Sequence, residues 1–236
     1  MTADIYSRTA ALLGGTAVEK LKNARVAVFG AGGVGSAAIE ALVRSGVGSI
    51  DIFDHDTISS SNLNRQLMTN SENIGCSKAD AAAKRARLIN PEAKLTAHRL
   101  FYLPETAEQV DLSVFDYIID AVDTLTAKLE LILRASSANV PIISCMGTGN
   151  KLDITRLRVS DIKKTEICPL ARRMRKELKI RGITELLCVW SDEKPQSAEP
   201  TGENMGDRPA PASAIFVPCA AGLLMAKEAV TAICNK

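Results

Sequence analysis

Aromatic side chains are scarce in this chain: five Phe, three Tyr and one Trp among 236 residues. The core must therefore be aliphatic, and no aromatic platform for stacking unpaired bases is signalled. Histidine is rarer still, with only His55 and His98, and neither is placed to suggest a Ser–His or Cys–His catalytic pair. Charge of one sign is also missing. The formal net charge is +2, so the chain is not a polycation, and any nucleic-acid contact must come from a local patch. None of the six cysteines forms a C-x-x-C pair, so a tetrahedral zinc clip is not signalled. Long apolar runs are absent as well. The most apolar stretch, Ile215 to Ala226, holds a proline and is followed by Lys227 and Glu228, too short for a transmembrane helix. Met1 to Leu21 mixes polar and apolar residues and does not read as a signal peptide. The expected setting is a reducing cytoplasm with free thiols and no membrane partner. No internal repeat or low-complexity segment is found.

What is present is organised around Val26 to Gln66. Val26-Ala27-Val28-Phe29 has a strand pattern, Gly30-Ala31-Gly32-Gly33-Val34-Gly35-Ser36 leads into a helical pattern, and a second strand, Ser49 to Phe53, delivers Asp54. Gly30 and Gly32 allow backbone conformations and close approach that a Cβ would block, and Gly35 lets the helix sit tightly on the strand. The helix N-terminus offers unpaired N–H groups and a positive dipole end to a phosphate. G-x-G-x-x-G alone is weak evidence. Between strand and helix, with an acid 19 residues after Gly35 at a strand end, it points to nucleotide binding rather than a plain tight turn.

Residues 1–24 read as helical around Gly14-Gly15. Residues 58–74 form a polar Ser- and Asn-rich loop, and residues 78–89 a helix ended by Asn90-Pro91. A strand follows over 94–100 and a short helix over 105–111. A core strand over 115–120 ends at Ala121-Val122-Asp123, Thr124 caps a helix to about 139, and another core strand spans 140–145. Alternating strands and helices imply an α/β, Rossmann-like, doubly wound and mainly parallel sheet with helices on both faces. Beyond 150 an edge strand (154–162), a basic helix (169–180), a short strand (186–190), a crossover loop (191–211) and a closing apolar helix (218–233) make a C-terminal extension. The chain reads as one domain over 1–236, with a nucleotide-binding core over 1–150 and a substrate-binding extension over 151–236.

In such sheets ligands bind beyond the carboxyl ends of the strands, which puts Gly30, Asp54, Asp123 and the Met146-Gly147-Thr148-Gly149 loop on one rim. A triphosphate needs more cations than a dinucleotide. Arg65, in the polar loop, and Lys78, at a helix head where the dipole disfavours a cation, could supply them. Asp123 could hold Mg²⁺ through oxygen. Taken singly, Arg65 reads as a surface cation, Lys78 as a solvated helix residue and Asp123 as a helix N-terminal acid; together on one rim they are hard to ascribe to accident. From Arg156 to Arg181 there are ten Lys or Arg and three acids, either a nucleic-acid patch or a solvated face. Cys188 and Cys219 read as buried thiols before they read as nucleophiles.

The runs Gly30 to Ser36, Asp54-His55-Asp56, Ser61-Asn62-Leu63-Asn64-Arg65-Gln66, Gly75 with Lys78, and Asp120 to Asp123 resemble the ubiquitin-activating-enzyme-like adenylyltransferase superfamily over about residues 1–150. Arg8 with Leu12-Leu13-Gly14, Val159 to Ile162, Pro169-Leu170-Ala171, Arg173 to Leu178, and Cys188 to Ser191 resemble its tRNA threonylcarbamoyladenosine dehydratase branch. The resemblance implies an ATP-dependent cyclisation. The carboxylate of a threonylcarbamoyl group on tRNA is adenylated, and an intramolecular nucleophile displaces AMP to close a ring. It also implies that Gly30, Gly32, Gly33, Gly35 and Ser36 line the nucleotide and that Asp54 holds the ribose. Asn64, Arg65 and Lys78 would contact the phosphates, Asp123 would bind Mg²⁺, and Arg8 would reach the ATP of a partner subunit, hence a homodimer. A cysteine desulfurase with its sulfur acceptor is a further implied partner system. Two alternatives stay open: an adenylyltransferase for a small sulfur-carrier protein, and an NAD-binding oxidoreductase or non-catalytic nucleotide-binding regulator.

Overall fold

The computed structural model describes residues 5–199, 202, 204–205 and 208–236. What the sequence suggests for residues 1–4, and for positions 200, 201, 203, 206 and 207 of the polar loop, lies outside the described residues. Seven strands form one sheet in the order β3-β2-β1-β4-β5-β7-β6: β1 (Arg25–Phe29), β2 (Ser49–Phe53), β3 (Lys94–His98), β4 (Tyr117–Asp120), β5 (Ile142–Cys145), β6 (Leu157–Asp161) and β7 (Leu187–Ser191). Every pairing is parallel except β6 against β7, which makes β6 an antiparallel edge. A small hairpin pairs β8 (Asn204–Met205) with β9 (Arg208–Pro209).

The helices are α1 (Ser7–Leu13), α2 (Gly15–Asn23), α3 (Gly33–Ser45), α4 (Lys78–Ile89), α5 (Leu125–Ser137), α6 (Pro169–Ile180) and α7 (Phe216–Cys234). Strand β1 shows why the sheet is covered on both sides. Val26 and Val28 face a core built with α3, α4 and α7, while Ala27 and Phe29 face a second core with α5. A third cluster packs Leu129 and Ile132 of α5 against Ala171, Met174 and Leu178 of α6. Doubly buried strands read as continuous apolar runs, as these do.

The N-terminal helical stretch is two helices, parted at Gly14 with φ of +91°. The glycine-turn helix begins at Gly33, three residues earlier than its apolar pattern suggests. The short helix expected over 105–111 is replaced by single 3₁₀ turns at Ala107–Gln109 and Leu112–Val114. The closing apolar run, expected to be too short for a membrane span, is longer than its densest stretch suggests: α7 is the one described helix long and apolar enough by composition to cross a membrane, but half of that stretch is buried inside the fold. Gly222 explains the closeness of its packing: a Cβ there would meet the Val34 carbonyl oxygen of α3 at 2.2 Å.

Candidate active site

The order of β3-β2-β1 against β4-β5 reverses between β1 and β4, and in open α/β sheets ligands bind beyond the carboxyl ends of the strands at such a switch point. Gly30 leaves β1 with φ of +88°, and a Cβ there would lie 2.7 Å from the Ala121 carbonyl oxygen. A Cβ on Gly35 would sit 1.7 Å from the Gly30 carbonyl oxygen. These two glycines are demanded by the backbone. Gly32 is different: a Cβ there would meet nothing within 4 Å, so this glycine keeps open space above the head of α3. That head carries no side-chain cap and no acid in its first turn. Its N–H groups and the positive end of its dipole are left for an anion.

Arg65 lies across this head. Its Cγ and Cδ would be 3.4 and 3.6 Å from a Cβ on Gly33. The loop that carries it is anchored from several sides. Ser36 Oγ, buried in α3, accepts from Leu67 N–H at 3.1 Å. Asn64 Nδ2 donates to the Ser213 carbonyl at 2.9 Å, and Arg65 Nη1 donates to Ser61 O and Asn64 Oδ1, both at 2.9 Å. Ser36 and Asn64 thus hold the arginine loop in place with the same groups that the sequence offers to a nucleotide.

Asp54, at the end of β2, is buried. Its Oδ2 accepts from Ala31 N–H at 2.7 Å and its Oδ1 from Asp56 N–H at 2.8 Å. Burial raises its carboxyl above the ordinary range despite those two hydrogen bonds. Each oxygen keeps a second lone pair for a ribose hydroxyl. Lys78 Nζ reaches Asp56 Oδ2 at 2.7 Å, with 11% of the lysine side chain exposed. Asp54, His55 and Asp56 bring metal-capable atoms within 4.8 Å of one another. Their oxygens are already engaged by backbone N–H groups and by the Lys78 ammonium, so the cluster reads as a charge-balanced turn.

Asp123 is exposed beyond β4, and its Oδ1 accepts from Thr124 Oγ1 at 3.3 Å. Thr124 occupies the N-cap of α5 without a side-chain cap bond; its hydroxyl turns to Asp123 instead. An open carboxylate beside a hydroxyl suits a hard divalent cation that keeps most of its water. Arg8 does not join this rim. Tyr6, two residues earlier, stacks its ring over Gly46 at the far end of α3 and donates its hydroxyl to the Val43 carbonyl at 3.1 Å. Thirteen residues of helix put that end about 20 Å from the glycine turn.

Sequence reading missed the support beneath the rim. Asp120 and Lys128 are both fully buried and pair at 2.9 Å, and Ser144 Oγ donates to the same Asp120 oxygen at 2.5 Å. Asp120 Oδ1 accepts from Val122 N–H at 3.2 Å, which fixes the turn that presents Asp123. The lysine's place on the inward face of α5, among Leu129, Leu131 and Ile132, was the available signal. Lys151 is also buried; its ammonium clamps the Gly147 and Ser191 carbonyls at 3.0 and 3.4 Å. Burial pushes the thiols of Cys145 and Cys188 up to about 12, so neither is an activated nucleophile.

A glycine-lined, uncapped helix head at the switch point of a mainly parallel sheet, with an arginine laid over it and a buried acid at the end of the neighbouring strand, is the arrangement of a nucleotide-binding α/β protein. The chain belongs to the ThiF family, whose model matches residues 6–236. It is 40% identical over 235 residues to the tRNA threonylcarbamoyladenosine dehydratase of Bacillus subtilis, covering 95% of this chain and 92% of that protein. Its fold matches Escherichia coli TcdA, a tRNA N6-threonylcarbamoyladenosine dehydratase, solved with AMP: TM-score 0.89, 31% identity, 99% of this chain and 96% of that one. The same protein solved with ATP gives a TM-score of 0.86 at 31% identity, covering 97% of this chain and 93% of that one.

Proposed function

We propose that this chain is an ATP-dependent tRNA threonylcarbamoyladenosine dehydratase, acting in the cytoplasm as a homodimer. The observation that carries the reading is the position of Arg65 across the uncapped head of α3, with Asn64 in the same loop and Lys78 on the same rim. An intact dinucleotide needs the glycine turn and Asp54 but gives these cations no task. The relatives' shared name supplies the substrate.

In this reading the α3 N–H groups and Gly32 seat the phosphates, and Asp54 accepts from the ribose hydroxyls. Asp123 would hold Mg²⁺, which supplies charge neutralisation on the phosphate chain when bound. The threonylcarbamoyl carboxylate oxygen forms a bond to the α-phosphorus, and pyrophosphate leaves with the electrons of the broken P–O bond. Arg65 and Lys78 stabilise the charge that gathers on the α-phosphoryl oxygens. A nucleophile within the same modified group then attacks the activated carbonyl, AMP leaves and the ring closes. The protein's task is orientation, which makes the intramolecular attack faster than hydrolysis. Arg8, remote from its own rim, is assigned to the partner subunit's nucleotide.

The basic segment supplies tRNA backbone contacts. Arg156 and Arg158 pair with Asp192, Arg181 pairs with Glu177, and Arg175 hydrogen-bonds Thr165. Lys163, Lys164, Arg172, Arg173, Lys176 and Lys179 are exposed, and no acid among the described residues pairs with them. Ala171, Met174 and Leu178 turn inward on α6, so Arg172, Arg173, Lys176 and Lys179 share its outer face. That helix starts at the rim, since a Cβ on Gly147 would meet Cys168 Sγ at 3.8 Å. A cysteine desulfurase with its sulfur acceptor is the accompanying system proposed from the resemblance. To test the reading, purified protein is incubated with ATP and either threonylcarbamoyladenosine-bearing tRNA or a carrier protein ending in Gly-Gly, and AMP release is followed. Stimulation by the tRNA alone is expected; stimulation by the carrier alone would make the chain a carrier-activating adenylyltransferase.

A further inference from the structure

We infer that Asp56 is a positioning residue for adenylation, aiming the Lys78 ammonium at the reacting phosphate; the inference rests on the function proposed above. Lys78 heads α4, where the helix dipole disfavours a cation, and it is largely buried. A buried ammonium needs a compensating partner. Among the described residues Asp56 is the carboxylate that pairs with it directly, at 2.7 Å, while Asp54 feels its charge from farther off. An ammonium has three donors; Asp56 takes one and leaves two for phosphoryl oxygens.

Asp56 is half exposed, but its backbone and both carboxylate oxygens have partners. Its N–H donates to Asp54 Oδ1 at 2.8 Å, and its carbonyl accepts from Lys78 N–H at 3.0 Å. Its second carboxylate oxygen lies 3.2 Å from His55 Nε2. The His55 ring stacks on Phe101 with centroids 3.9 Å apart. A bridge between Thr57 and Ser77 staples the two segments together just beyond. One turn therefore carries both the acid beside the ribose and the acid that aims the lysine, so the two ends of the nucleotide are registered against a single rigid unit.

The charge makes the assignment specific. A carboxylate beside a triphosphate opposes nucleotide binding, so Asp56 gains nothing for ground-state affinity. Its benefit is the fixed direction of a lysine that otherwise swings on a flexible four-carbon stem. Removing it leaves ATP binding near its original strength while slowing the chemical step.

The test combines ATP titration by calorimetry, which needs no tRNA, with turnover on modified tRNA. In Asp56→Ala the ATP Kd is expected to stay within about threefold of the parent, while kcat falls by at least about tenfold. Unchanged kcat, or a kcat and ATP affinity that fall in step with the melting temperature, would overturn the inference. A second readout is independent of the substrate. Acylation of Lys78 by an amine-reactive ester, read by peptide mass spectrometry on the nucleotide-free protein, is expected to rise several-fold in Asp56→Ala; no rise overturns the inference. If the parent protein releases no AMP on any tRNA, the proposed function fails, and the acylation result alone decides whether Asp56 holds the lysine.

Discussion

Arg65 is held in place by its neighbours: two acceptors fix its Nη1 and its stem rests over Gly33. Arg65→Ala is expected to lower kcat for AMP release by at least about 100-fold, as loss of a preorganised charge donor does, while the melting temperature changes little. Full activity in the folded variant would remove Arg65 from the reaction. Asp123→Asn should raise the Mg²⁺ concentration needed for half-maximal activity, measured by titrating the metal at saturating ATP; an unchanged requirement would place the metal elsewhere. At this scale the sequence was legible where chemistry depends on residue type in a fixed local pattern, as in Gly30 to Asp54. It was not legible where one residue type serves two ends. Ser36 and Asn64 carry groups that suit a ligand or the protein alike, and the fold is what shows one hydrogen bond of each going to Leu67 and Ser213. Lys128 was hidden for a similar reason, because a lysine beside apolar neighbours usually snorkels to solvent, whereas here Asp120 and Ser144 meet it inside.

Three strands are tied together by a single buried acid. Asp51 on β2 accepts from Arg25 Nε of β1 at 2.8 Å and lies 2.8 Å from His98 Nε2 of β3. Burial works to raise its carboxyl, but Arg25 and His98 outweigh this and hold it below its ordinary value of 3.8. A carboxyl lowered in the folded state contributes stability that is complete above its unfolded value and is lost as pH falls through the lower, folded one. Denaturant unfolding should therefore show an acid-side loss of stability below about pH 3.8, and Asp51→Asn should flatten it. An identical slope in the variant would show that the cluster does not set acid stability. The α3–α7 contact makes the other element-scale prediction. Gly222→Val, which drives a side chain into the Val34 carbonyl, should cost about 3 kcal/mol in denaturant unfolding; a cost near zero would mean the helices part freely. Periodicity in the sequence located the helices and strands of the sheet, since burial on both faces leaves continuous apolar runs. It did not show that β6 would run antiparallel, because strand direction depends on the path of the connecting chain. Nor did it separate 3₁₀ turns from a short helix over residues 105–114, where few side chains repeat.

Taken whole, the molecule gathers the glycine turn, Asp54 and Arg65 at one rim of the sheet and runs the basic face of α6 away from that rim. Replacing Arg172, Arg173, Lys176 and Lys179 together with alanine should weaken tRNA binding. It should also reduce the slope of log affinity against log salt by about 3, while leaving ATP affinity unchanged. An unchanged slope would move the tRNA to another surface. The central claim is that the phosphate-splitting site and the basic face serve one reaction, ATP-driven loss of water from a tRNA nucleoside. The most direct measurement is mass spectrometry of nucleosides digested from threonylcarbamoyladenosine-bearing tRNA after incubation with the protein. A product lighter by one water is expected, formed only with ATP, accompanied by AMP and formed at least about 100-fold more slowly with Arg65→Ala. An unaltered nucleoside in the presence of active, ATP-binding protein would contradict it.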